Sequence, residues 1–112
     1  MIDNSKTYLK KLVSVSQNSV KSFGYEKITV TGTLATLTIP DGATYALCIL
    51  ESTATGTAAR ILQNKGTTVT ASVGMPILAG AIFDISDYAN LDGFQIIKDQ
   101  AGTTSLYVEY FK

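Results

Sequence analysis

Residues 45–50 (Tyr45, Ala46, Leu47, Cys48, Ile49, Leu50) are apolar or aromatic at every position. Six residues is a strand length and falls short of a helix. As a strand, the run puts Tyr45, Leu47 and Ile49 on one face and Ala46, Cys48 and Leu50 on the other. Both faces want cover, so this strand must be central. In a two-layer fold one of those faces points outward. Its cover has to come from the N-terminal segment or from another subunit, and every other element has to satisfy that demand.

The neighbouring runs carry the same period. Ile28 and Val30 alternate with Thr29 and Thr31, Gly32 turns, and Ala35, Leu37 and Ile39 alternate with Thr36 and Thr38. These two runs predict a hairpin with one Thr-lined, wet face. Pro40-Asp41-Gly42 is a turn, because Pro presets φ and Gly takes the left-handed position. Residues 51–57 are small and polar and read as an exposed loop. A strand is predicted at 59–63, followed by the turn Asn64-Lys65-Gly66 and an extended loop to Gly74. Pro76 bars its segment from a central ladder position. Ala81, Phe83 and Ile85 then face one way, and Ile82, Asp84 and Ser86 the other. Residues 87–93 read as a loop and 94–98 as a strand. Asp99 to Gly102 is predicted as a four-residue hairpin loop. The last strand turns Leu106, Val108 and Tyr110 inward, and Tyr107, Glu109 and Phe111 outward. The whole predicts an antiparallel β-sandwich, jelly-roll-like, of seven or eight strands over residues 25–112.

Residues 1–24 differ in character. Tyr8, Leu9, Leu12 and Val13 are apolar residues that a free tail would gain nothing from, and they are the predicted anchors of an N-terminal arm, helical or extended. Charge follows the same boundary. Residues 1–27 hold five lysines against two acids, a net of +3, and residues 28–112 hold four basic residues against seven acids, a net of −3. A basic arm on an acidic body is built to dock against an acidic neighbour. Tyr107 and Phe111 are two aromatics on an outward face and are the predicted subunit contacts, where aromatic residues are enriched.

With 112 residues the chain is one domain, large enough for one core. The hydrophobic share is 46% against a charged share of 16%, which calls for a large core or a surface covered by partners. The net charge is zero, so neither nucleic acid nor membrane is an expected partner. One cysteine forms no internal disulfide, and Cys48 reads as a small buried hydrophobe. No stretch approaches a bilayer span and no signal-peptide pattern opens the chain, so synthesis in a cytoplasm is expected.

The chain has no histidine. That removes the usual general base, most nucleophilic triads and the commonest metal ligand. Asp84, Asp87 and Asp92 cluster in sequence without the spacing of a calcium loop, and are read as solvated acids rather than a glycosidase pair. Tyr88, Asn90 and Asp92 combine an aromatic face with an amide and an acid, a candidate glycan-binding edge. No catalytic residue, cofactor or metal site is expected, and the chain is not read as an enzyme.

The order Arg60-Ile61-Leu62, Gly66, Thr70-Ala71-Ser72-Val73-Gly74-Met75, Leu78-Ala79-Gly80, Phe94 with Ile96 and Ile97, and Leu106-Tyr107-Val108 with Tyr110 resembles small virion proteins of tailed bacteriophages. These are the β-sandwich modules of capsid decoration, head-fibre and tail-accessory type. The resemblance covers roughly the last two-thirds of the chain. It departs at Ile61 and Leu62, where such modules often carry an aromatic and a second arginine. It implies a structural protein located on the virion, a homo-oligomer (a trimer by analogy) that also contacts other virion proteins such as the major capsid protein. The alternative is a host-attachment module that binds glycan.

Overall fold

The computed structural model of this chain describes residues 21–112. Seven strands and one short helix follow in order: β1 (Ser22–Val30), β2 (Tyr45–Ser52), β3 (Thr57–Gln63), β4 (Met75–Leu78), β5 (Ile82–Ser86), α1 (Tyr88–Gly93), β6 (Phe94–Lys98) and β7 (Thr104–Phe111). Every pairing is antiparallel, and the strands form a four-stranded sheet, β1-β7-β2-β5, and a three-stranded sheet, β4-β3-β6. The expected β-sandwich is therefore the architecture. β1 begins at Ser22, three residues before the start expected at Tyr25. The predicted arm anchors Tyr8, Leu9, Leu12 and Val13 lie outside the described residues.

The hairpin predicted across residues 28–39 does not form. β1 pairs with β7 instead, from Ser22 opposite Phe111 to Val30 opposite Thr104. After Val30 the chain crosses to the other sheet, where Lys98 N–H donates to the Thr31 carbonyl at 2.9 Å and Ala35 forms a single bridge with Ile96. The alternation read from the sequence survives without a partner strand: Ala35, Leu37 and Ile39 are half-buried and pack on the core, while Thr36 and Thr38 are exposed. This segment plugs the open side of the sandwich. Counted as a second strand, it makes the two sheets read 1-8-3-6 and 2-7-4-5, the jelly-roll order with one strand reduced to a bridge.

Two connections also differ from expectation. Residues 99–102 join β6 in one sheet to β7 in the other, so they form an arch rather than a hairpin. Residues 88–93 are a short helix, not a loop, entered through Asp87 at φ 81°. Local alternation tells which way a side chain points, not which sheet the next strand joins, so arches and hairpins of equal length look alike in sequence.

The core lies between the sheets. Leu50, Ile85, Leu91, Phe94, Ile96, Leu106 and Tyr110 are its largest fully buried side chains, with Cys48 and Val108 also buried in it. Full burial of each aliphatic or aromatic side chain contributes about 1.5–3 kcal/mol. Phe94 stacks on Phe83 from the opposite sheet at 6.2 Å between centroids. The Tyr110 hydroxyl donates to the Glu26 carboxylate, which also accepts Thr38 N–H at 2.9 Å. This arrangement satisfies the polar end of a buried tyrosine and fixes the crossing segment to the edge of β1.

Candidate interaction surface

The two sheets treat their outer faces differently. The outer face of β4-β3-β6 carries Arg60, Leu62, Gln95 and Ile97, and the loop of residues 64–74 folds over it. Gln95, 8% exposed, holds that loop by its carboxamide. Its oxygen accepts Val69 N–H at 3.0 Å, and its nitrogen donates to the carbonyls of Asn64 at 2.9 Å and Thr67 at 2.7 Å. Arg60 donates from Nη1 to the Gly74 carbonyl at 3.1 Å and lies 3.4 Å from Asp99 through Nε. Gly74, at φ 137°, packs tightly there: an added Cβ would sit 2.8 Å from Val69 Cγ2 and 3.2 Å from Arg60 Cβ and the Ile61 carbonyl. Val69 is buried.

The four-stranded sheet has no such cover among the described residues. Its register lays out rows across the outer face: Tyr25, Glu109, Leu47 and Asp84 in one, and Lys27, Tyr107, Ile49 and Ile82 in the next. Tyr25 is 65% exposed, Ile49 42% and Ile82 69%. A shallow groove of about 230 Å³ runs between Tyr25, Leu47, Ile49, Tyr107 and Glu109. The requirement read from Tyr45–Leu50 is met on one side only: Ala46, Cys48 and Leu50 are fully buried, and the opposite face meets solvent.

Three carboxylates rim this apolar floor, and each is held by a neutral hydroxyl. Tyr107 Oη donates to Glu51 at 2.8 Å, Tyr45 Oη to Asp84 at 3.0 Å, and Ser22 Oγ to Glu109 at 2.7 Å. The bond to Glu51 raises the Tyr107 phenol above its ordinary pKa. Burial, then the bond to Asp84, does the same for Tyr45. Each of these donors is an uncharged hydroxyl, so none places a positive charge beside its carboxylate. The cation on this face is Lys27, whose ammonium lies 5.5 Å above the Tyr107 ring.

Both predicted subunit contacts lie on this face. Tyr107 is half-buried under Lys27, and Phe111 packs on Tyr45 at 5.5 Å between centroids. The exposed residues Tyr25, Ile49 and Ile82 were not singled out in the sequence. The doubly apolar β2 run signals Ile49, whereas Tyr25 and Ile82 join it only through long-range register.

The candidate glycan edge lies elsewhere, on α1. Tyr88 is 53% exposed. Asn90 spends its amide nitrogen on the Ser86 carbonyl at 2.8 Å, and Asp92 pairs with Lys65 at 2.5 Å, which raises the pKa of that lysine. A second hollow of about 330 Å³, lined by Ile61, Leu62, Gln63, Asn64 and Met75, has no charged group to orient a ligand. Among the described residues no three His, Cys, Asp or Glu side chains group closely enough to hold a metal ion. Cys48 is buried, and that burial pushes its thiol up to about 12.

Comparison of the chain with protein-family models, with characterised proteins and with solved structures gives no match.

Proposed function

We propose that this protein is a structural component of a tailed-bacteriophage particle, a self-associating jelly-roll module that works by adhesion and not by catalysis. One observation carries the reading: the outer face of β1-β7-β2-β5 presents Tyr25, Ile49 and Ile82 to solvent across three of its strands, while on the opposite sheet Gln95 holds a loop over β6 and the exposed apolar residues, Met75 and Leu78, sit on the edge strand β4. Apolar floor, aromatic residues and a charged rim are the composition of a protein–protein interface. The resemblance in residues 60–110 supplies the virion setting, where repeated contacts between small β modules are the work to be done.

Light scattering on the purified chain tests the association. A closed oligomer is expected, since most homo-oligomers close symmetrically. A monomer at millimolar concentration overturns the reading. Co-sedimentation with purified phage shells tests the setting, and a protein that stays in the supernatant at every shell concentration removes it.

A further inference from the structure

We infer that residues 1–20 of one copy dock on the outer face of the β1-β7-β2-β5 sheet of a neighbouring copy. This rests on the reading of that face as an assembly surface, and it names the occupant.

Three observations select the segment. The first is charge. Residues 1–20 hold Lys6, Lys10 and Lys11 against Asp3, a net of +2. The face holds Glu51, Asp84 and Glu109 against Lys27, a formal net of −2, and its acids are bonded by uncharged hydroxyls rather than by cations. The second is apolar content. Tyr8, Leu9, Leu12 and Val13 match a floor made of Tyr25, Leu47, Ile49 and Ile82. The lysines on either side of Tyr8 and Leu9 would meet the rim while those side chains meet the floor.

The third is where the segment begins. Lys21 N–H donates to the Lys112 carbonyl at 3.1 Å, and Lys112 N–H donates to the Lys21 carbonyl at 3.2 Å. Residue 21 is therefore still in the ladder, with no turn started. The segment's attachment point stands at the end of the β1-β7 ladder, at the border of the sheet. Twenty residues reach up to about 70 Å. Four strands span about 14 Å from first to last. A neighbouring copy is well within range.

Such a contact is heterologous: segment on face, not face on face. Heterologous contacts close into rings when the rotation permits.

The test uses the full chain with Ile49→benzoylphenylalanine, mixed in equal parts as light and heavy-isotope protein, irradiated and mapped by mass spectrometry. Crosslinks from position 49 to residues 1–20 in mixed light–heavy pairs are expected. Lys10→Glu with Lys11→Glu should weaken association at least tenfold, and adding Glu51→Lys with Glu109→Lys should restore it. Light–light and heavy–heavy pairs alone would mean that the segment folds over its own sheet, which overturns the exchange. Mixed pairs joining position 49 only to strand residues would mean that two faces meet, which overturns the segment as occupant and leaves the assembly reading standing. A monomeric mass with no crosslink overturns both. Failure of the charge swap to restore association overturns the complementarity.

Discussion

Replacing Gln95 with leucine tests how the outer face of the three-stranded sheet is closed. The side chain is similar in size, so packing volume changes little. What is lost is three hydrogen bonds to loop backbone, to Val69 N–H and to the carbonyls of Asn64 and Thr67. Each contributes about 1 kcal/mol net, and a buried N–H left without a partner costs about 1–3 kcal/mol. Val69 is buried, so its amide cannot turn to water without the loop opening. Opening relieves the orphaned amide but uncovers Val69. Either route gives a loss of about 3–4 kcal/mol. Against a typical total of about 5–15 kcal/mol this is a large fraction. The assay is urea unfolding followed by circular dichroism, with amide hydrogen exchange at Val69 as the local readout. The expected result is a clear fall in midpoint with the slope unchanged, and exchange at Val69 much faster than at core strands. A variant within about 0.5 kcal/mol of the parent, with Val69 still protected, would refute the account of the loop as held by this carboxamide.

Alkaline stability should fall as pH rises from about 9 towards 12. Cys48 is pushed up to about 12 from an ordinary 9.0, so the unfolded chain releases a proton there that the folded chain keeps. Stability is thus flat below the unfolded pKa and drops by up to about 1.4 kcal/mol per pH unit above it. Cys48→Ala should flatten that part of the slope in pH-dependent urea melts. Tyr110 is raised, chiefly by burial and then by its bond to Glu26, and adds to the fall above pH 10. Gly74→Ala should cost about 2 kcal/mol, because φ 137° strains any side chain and the new Cβ meets Val69 and the Ile61 carbonyl; thermal melting reads it. Ile82→Lys, at a position 69% exposed, should leave the melting curve within about 0.5 kcal/mol yet lower self-association measured by sedimentation. Unchanged association would remove Ile82 from the interface.

The side-chain faces were legible in the sequence because period-two alternation is a local signal. β7 buries the side expected of it, Leu106, Val108 and Tyr110, while β2 and β5 divide as their alternation does, with Ala46, Cys48 and Leu50 buried on one strand and Phe83 and Ile85 turned to the core on the other. Pro76 correctly marked an edge strand. Pairing was not legible, since it depends on residues some 80 positions apart, as with β1 and β7. The run at 35–39 has a strand's alternation and packs like one, but finds its backbone partner at Ala35 alone. Gln95 gave no sign of burial, because the cover over it comes from a loop whose own sequence is polar. The six residues of α1 are too few for helical periodicity to register. Of the interaction surface, the doubly apolar β2 run announced that some cover was owed, and the register then supplied its neighbours.

The reciprocal bonds between Lys21 and Lys112 bring both strand termini of the sandwich to one corner. Tension applied between those two residues would pull β1 from β7 across the ladder, breaking bonds one after another like a zipper. A load that enters through residue 21 alone and leaves through the broad sheet face would be spread over the whole body. On a surface exposed to shear, the second way of hanging the molecule is the durable one.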